Sequence, residues 1–359
     1  MKRLLNLSAI VLIIITLTAA GSDKKKPRNL ILFIGDGMGV AQVYASMTSS
    51  GFNMTFPAFP VTGFSITYSA NRYITDSGAG GTAISTGEKT NNGMIAVRPD
   101  STELKTLMEI AKAAGLSAGV ISTSAVTHAT PASFIAHDPS RGSYEDIARW
   151  FLKGTADVFV GGGINHFRSR KDSTDLTVDL QKLGYDVVYN LSDLKKSSSA
   201  RIAGLMAGGD MPYIDTGRDP EYLAAATAKA IEVLSRNKNG FVLMVEGSQI
   251  DRAGHDNNLG RSIEETLDMD RAVKIAYDYA RKSGNTLVVV TADHETGGLS
   301  ITGGDVADNT VSGSFSTNGH TAEMVPVFAF GPGAGAFAGV QQNTELFSDF
   351  VRLLSLNKK

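Results

Sequence analysis

Three of the six histidines in this 359-residue chain fall in polar, glycine-flanked stretches that also carry carboxylates. Asp251 and His255, in Glu246-Gly247-Ser248-Gln249-Ile250-Asp251-Arg252-Ala253-Gly254-His255, are four apart, which on a helical turn puts carboxylate and imidazole on one face, able to grip one cation. Asp293 and His294 stand adjacent where a strongly apolar run ends, and His320 follows in Asn318-Gly319-His320-Thr321. Asp36, within Gly35-Asp36-Gly37-Met38-Gly39, would repel a phosphate unless a cation stood between them, so the turn suits a metal-binding carboxylate; a cap for the next helix fits it equally well. Ser77 precedes the small residues Gly78-Ala79-Gly80-Gly81 that could open a tightly packed helix, whose first amides stabilise an ionised serine or a phosphate; by itself the stretch reads as a helix cap. One lone His or strand-end Asp is ordinarily structural. Their joint clustering is not, and with no Cys in the chain a divalent cation held by Asp and His fits, zinc first.

Such residues need elements to bring them together. Apolar runs short enough for buried parallel strands recur at Leu30–Ile34, Ala118–Ser122, Val158–Val160, Phe241–Val245, Thr286–Thr291 and Val325–Phe330. Helical patterns lie between them at Glu103–Ala114, Tyr144–Leu152, Glu221–Ser235 and Ser262–Arg281. The alternation predicts an α/β fold, a three-layer sandwich with a central, mainly parallel sheet flanked by helices, which binds ligands beyond the carboxyl ends of its strands. Ser197-Ser198-Ser199 and the polar stretch Gly303–Thr317 read as surface loops, and no linker divides the chain.

Composition narrows the function. With 42% hydrophobic and 19% charged residues the chain is neither disordered nor fibrous, and 34 Lys+Arg against 36 Asp+Glu, without a long basic run, disfavour a nucleic-acid binder. Lys2 and Arg3, then an apolar run ending in Ala19-Ala20-Gly21, read as a secretory signal peptide over residues 1–20. Asn6, Ser8, Thr16 and Thr18 interrupt that run, which argues against an uncleaved membrane anchor. The remaining 21–359 is expected to be one catalytic domain, mildly acidic, not membrane-anchored after cleavage, and periplasmic or secreted.

The same stretches, in order from Asn29 to about Pro332, resemble the alkaline phosphatase family: Gly35-Asp36-Gly37-Met38-Gly39, Thr75-Asp76-Ser77, Thr130-Pro131-Ala132, Ser140-Arg141, Glu246 through His255, Ala292-Asp293-His294-Glu295 and Gly319-His320. The resemblance implies two zinc ions and one magnesium per chain. Asp251, His255 and His320 would ligate one zinc, Asp36, Asp293 and His294 the other, and Asp36, Thr130 and Glu246 the magnesium. Ser77 would be the nucleophile, Arg141 would hold phosphate oxygens, and Asp76 would orient Arg141. It further implies small-molecule phosphomonoester substrates and, by family habit, a homodimer. Paired metals roughly 4 Å apart suit in-line phosphoryl transfer, and the guanidinium fork matches phosphate as a lysine could not.

His128 and Arg252 depart from the residues best known at their places in the family. His128 is a further candidate ligand at the third site, and Arg252 a candidate for positioning phosphate. His137 and His166 read as structural, and Trp150, in an apolar helical pattern, as core. Two other readings compete: a phosphodiesterase or sulfatase of the same superfamily, and a non-catalytic exported metal- or phosphate-binding protein.

Overall fold

The computed structural model describes residues 26–356; the signal peptide expected over residues 1–20 lies outside them. Ten strands form one sheet in the spatial order Gly339–Gln342, Val61–Ile66, Val325–Phe330, Thr286–Thr291, Asn29–Gly35, Phe241–Gly247, Ser117–Ala125, Val158–Gly162, Ile202–Leu205 and Asp186–Val188. All run one way except Val325–Phe330, which is antiparallel to both of its neighbours. That strand was expected to be parallel. An apolar run signals burial on both faces and carries no direction; it enters here from the His320 end of the sheet.

The central strands are buried along their whole length, as an interior parallel sheet requires, and their alternate side chains feed two cores. Leu30, Leu32 and Ile34 point into one, with Leu107, Phe347 and Phe350; Ile31 and Phe33 point into the other, with Leu223, Met269 and Val273. Each large side chain fully buried this way contributes about 1.5–3 kcal/mol. Helices thus cover both faces, giving the three-layer sandwich. Trp150 packs against the first core only partly buried, its ring edge-on to His137. Leu299–Asp305 and Thr310–Phe315 form a separate two-stranded hairpin, so the stretch expected to be a loop over Gly303–Thr317 is largely strand. Its alternating exposed polar residues give no apolar signal. Among the described residues no helix is long and apolar enough to cross a membrane.

Candidate active site

The strands Thr286–Thr291, Asn29–Gly35, Phe241–Gly247 and Ser117–Ala125 are neighbours, and the polar stretches that follow or end them meet beyond one edge of the sheet. Asp36 is fully buried just past Asn29–Gly35. Gly37 turns the chain at φ +70°, and a Cβ there would lie 2.7 Å from Thr296 Oγ1 and 2.8 Å from Asp251 Cα, so only glycine lets these segments close. The Gly37 N–H donates to Asp293 Oδ1 at 3.3 Å. The following helix, Val40–Ser49, is capped by Gly39 without a side-chain bond, so Asp36 is not its cap.

Ser77 is the first residue of the wholly buried helix Ser77–Thr86. The cap is Asp76, whose Oδ1 accepts from Ala79 N–H at 3.0 Å, in place of the capping role open to Ser77. The serine hydroxyl is thereby left free: its Oγ lies 3.5 Å from Asp36 Oδ1 and 3.2 Å from His294 Nε2. Gly80 passes Asp293 closely enough that a Cβ would sit 3.0 Å from its carbonyl oxygen, which explains the small residues after Ser77.

Two groups of ligand-type atoms surround this hydroxyl. His255 Nε2 is 3.3 Å from Asp251 Oδ2, His320 Nε2 is 3.6 Å from Asp251 Oδ1, and the two imidazole nitrogens are 3.3 Å apart. Atoms bound at about 2.0–2.1 Å to one tetrahedral ion lie about 3.3–3.4 Å from each other, so this spacing fits a zinc ion. His294 Nε2 is 3.3 Å from Asp36 Oδ1 and 3.5 Å from Asp293 Oδ2, a second set of the same dimensions. The imidazoles are aimed by their other nitrogens: His320 Nδ1–H donates to Thr75 O at 2.9 Å, His255 Nδ1–H to Asn318 O at 2.6 Å, and His294 Nδ1–H to Thr296 Oγ1 at 3.2 Å. Thr296 Oγ1 in turn donates to Asp251 Oδ1 at 2.5 Å.

A third group joins Asp36, Glu246 and His128. Glu246 Oε2 accepts from Ser122 and Ser124, whereas Glu246 Oε1, Thr130 Oγ1, Asp36 Oδ2, Asp293 Oδ2 and His128 Nδ1 are buried with no partner. Buried polar atoms without partners are rare and costly. Oxygen-rich sets of this kind suit a hard cation at Glu246, Thr130 and Asp36, and a nitrogen-containing set suits zinc.

Electrostatics show the strain of the metal-free cluster. Burial, then the neighbouring Asp293 and Asp251 carboxylates, pushes Asp36 well above the usual range; burial with Asp251 and Glu246 lifts Asp293 to about 8, and burial lifts Glu246 to about 7. Burial acts upward on Asp251 too, but the hydrogen bond from His255 and the surrounding imidazoles outweigh it and hold it low. The same hydrogen bond raises His255 to about 9. Burial, then His320, pushes His294 well below its ordinary value, so it is a neutral, ligand-competent imidazole.

Arg141 Nη1 donates to Asp76 Oδ2 at 2.8 Å, and its Nη2 lies 3.3 Å from His128 Nε2. His128, at the start of the short helix Ala129–Ala132, makes no capping bond; burial, then Arg141, lowers it to about 4. Arg252 is half-exposed and pairs with Asp210, whose other oxygen accepts from Ala125 N–H at 2.9 Å. His137 Nδ1–H donates to Ala96 O at 2.9 Å and its Nε2 lies 3.1 Å from Glu109 Oε1, and His166 stacks on Tyr144 while bonding Thr127, both outside the cluster. Sequence reasoning passed over Ser122, Ser124, Thr75, Thr296, Glu295, Asn318 and Asp210; Glu295-Thr296, adjoining His294, was the one visible cue.

Fold and site together describe a three-layer α/β protein with groups suited to metal ions around a buried serine, and comparison with known proteins gives its family. The alkaline phosphatase family model matches residues 27–314. Alkaline phosphatase 3 of Bacillus subtilis is 35% identical, covering 100% of this chain and 98% of its own, and the Escherichia coli enzyme is 33% identical, covering 94% and 88%. The structure of alkaline phosphatase from the Antarctic bacterium TAB5 is 40% identical with a TM-score of 0.89, covering 93% of this chain and 100% of that one; a histidine-to-aspartate variant of the TAB5 enzyme, 38% identical with a TM-score of 0.87 over 93% and 99%, was solved with Mg bound. The chain belongs to the alkaline phosphatase family. It is a phosphoric monoester hydrolase with groups suited to metal ions.

Proposed function

We propose that the chain hydrolyses phosphate monoesters through a phosphoserine on Ser77, with two zinc ions and a magnesium held by the residues described above. The observation that carries this is the placing of one buried serine hydroxyl against Asp36 Oδ1 and His294 Nε2, two members of the Asp36–Asp293–His294 ligand group, whose Asp36 Oδ2 and Asp293 Oδ2 are buried without partners. Asp251, His255 and His320 would hold one zinc, Asp36, Asp293 and His294 the other, and Asp36, Thr130 and Glu246 the magnesium. Ions bound there would ionise the serine, activate water and neutralise charge on the entering and departing oxygens.

The chain's own residues do the rest. Arg141, oriented by Asp76, binds two phosphoryl oxygens with its planar fork. Amides at the start of the Ser77–Thr86 helix face the same charge. The Ser77 Oγ–phosphorus bond forms as the ester oxygen–phosphorus bond breaks and the alcohol leaves. Water then attacks the phosphoserine from the vacated side, the Oγ–phosphorus bond breaks, and inorganic phosphate departs. Arg252, held by Asp210, adds positive charge at the rim of the site. Burial excludes bulk water and strengthens each of these electrostatic contacts.

His128 adds a nitrogen beside Glu246 and Asp36, a donor that suits zinc better than magnesium, and the TAB5 variant solved with Mg in its M3 site, which carries aspartate in place of a histidine, supports that reading. Export follows from the same reading: residues 1–20 act as a cleaved signal, 21–359 form one catalytic domain in the periplasm or medium, and the mature chains pair as a homodimer. The decisive test is chelation of purified protein followed by zinc and magnesium, with monoester, diester and sulfate ester assayed side by side. Activity on the monoester that disappears on chelation and returns with zinc is the expected result. Full activity after verified demetallation, or preference for the diester or sulfate, overturns it.

A further inference from the structure

Glu295 is a carboxylate with 1% exposure that has no cationic partner, yet both of its oxygens are fully bonded. Oε1 accepts from Gln42 Nε2 at 2.8 Å and from Leu299 N–H at 3.3 Å; Oε2 accepts from Gly298 N–H at 3.0 Å and from Thr321 Oγ1 at 2.5 Å. Each donor belongs to a segment that carries or adjoins a ligand-type residue. Glu295 itself follows His294. Thr321 follows His320, and the pair forms a two-residue antiparallel bridge in which Thr321 faces Glu295 and His320 faces Thr296. Gln42 stands on the first helix after the Asp36 turn and also donates to Thr296 O at 3.0 Å. The turn accommodates the acid directly: a Cβ on Gly39 would lie 2.4 Å from Glu295 Cγ.

We infer that Glu295 is a positioning residue that locks the Asp36, Asp293–His294 and His320 segments in mutual register and thereby sets the metal affinity of both histidine-containing sites. This inference rests on the reading that those residues hold zinc. The physical argument is one of acceptors and donors. Four N–H or O–H groups from three segments converge on one carboxylate, whose two oxygens can accept from all of them at once. Hydrogen bonds to a buried charge are the strong ones, and each donor left unanswered is costly. A neutral amide in the same place must turn its NH2 toward one pair of donors, losing the Leu299 N–H bond or the Gly298 N–H bond whichever way it faces, and obliging Gln42 or Thr321 to accept where it now donates. Residues that orient metal ligands change metal affinity, about 10–100-fold when lost, before they change the chemistry of the loaded site.

The proposal separates from a merely structural role because its bonds are divisible. Glu295→Gln replaces one of the two acceptor oxygens that tie the segments together, whereas Thr321→Val removes only the tie to His320 and keeps a residue suited to a strand. Zinc affinities of wild type and both variants would be measured by competition with a chromophoric chelator, alongside thermal unfolding of the metal-free forms and kcat and KM at saturating zinc. Expected are a loss of about tenfold or more in affinity at both sites in Glu295→Gln, a loss confined to one site in Thr321→Val, and near-wild-type kcat and KM for both once zinc saturates. Affinities within threefold of wild type in Thr321→Val, or in a folded Glu295→Gln, overturn the assignment, as does a fall in metal-free stability with affinity intact. Wild type that binds no zinc in the same titration overturns instead the functional reading beneath it. If Glu295→Gln does not fold, Thr321→Val decides.

Discussion

Asp76 faces two ways: its Oδ1 caps the helix that begins with Ser77, and its Oδ2 takes the Arg141 guanidinium at 2.8 Å and the Gly93 N–H at 3.0 Å. One carboxylate therefore sets the position of both the helix that begins with Ser77 and the Arg141 guanidinium, the proposed nucleophile and phosphate-binding fork. Asp76→Ala removes the cap, worth about 1 kcal/mol of stability, and frees Arg141 to rotate. The expected kinetic result is a higher KM for a monoester and weaker inhibition by inorganic phosphate, together, because substrate and product use the same fork. Steady-state kinetics with phosphate as inhibitor checks it, and unchanged values for both would detach Asp76 from substrate binding.

Ser77→Ala removes the hydroxyl that lies 3.2 Å from His294 Nε2 while leaving the cap on Asp76. The variant is expected to fold, to bind zinc and to lose about 10³-fold or more in turnover. Labelling with radioactive phosphate at acid pH should mark wild type only. A labelled Ser77→Ala protein would assign the nucleophile elsewhere.

Between pH 7 and 9 the metal-free protein is expected to lose stability as pH rises. Asp293, raised to about 8, keeps a proton in the folded state that the unfolded chain has already released, so raising pH favours unfolding until it ionises; Glu246, raised to about 7, acts the same way but has largely finished by the start of this window. His255, raised to about 9, acts in the same direction: the stability of its protonated form is fully present below the unfolded value and is lost as pH rises through 9. Zinc held by Asp293 and His255 would displace their protons, so metal affinity is expected to rise with pH across that window. Thermal unfolding of chelated and loaded protein at pH 7, 8 and 9 should show the two melting temperatures diverging. A constant gap would contradict the assignment of these groups as ligands.

His128→Asp is expected to strengthen magnesium activation when both zinc sites are verified as filled. His128 is buried, neutral at ordinary pH and grouped with Asp36 and Glu246, where a carboxylate would give magnesium the oxygen it prefers. Superimposable magnesium titrations of wild type and variant would leave His128 with a structural role only.

The parts of this molecule visible in the sequence are those whose signal is local. Every apolar run from Leu30–Ile34 to Val325–Phe330 became a buried strand, and Asp251 and His255 share the helix Gln249–His255 that their spacing implied. Asp186–Val188 and Gly339–Gln342 went unseen because these edge strands are short and largely exposed, with no apolar run to mark them. The supporting residues were hidden for a different reason. Thr296, Ser122 and Asp210 are ordinary polar residues until the sheet brings Asp251, Glu246 and Arg252 against them from far along the chain. Likewise Asp76 and Ser77 are adjacent, and only backbone geometry decides which of the two caps the helix.

The lone reversed strand, Val325–Phe330, gives the molecule a closing order. It alone joins Val61–Ile66, and through that strand Gly339–Gln342, to the rest of the sheet, and the bridge carrying His320 immediately precedes it. Its pairing with Val61–Ile66 is among the most sequence-distant in the chain, and contacts of that kind bear the greatest loop-closure cost and form slowly. His320 lies just before this strand, so the last histidine of the cluster and the pairing that ties both outer strands to the sheet belong to one stretch of chain. A protease that cuts before His320 would separate both at once: one member of the Asp251–His255–His320 group, and the strand that holds Val61–Ile66 to the rest of the sheet.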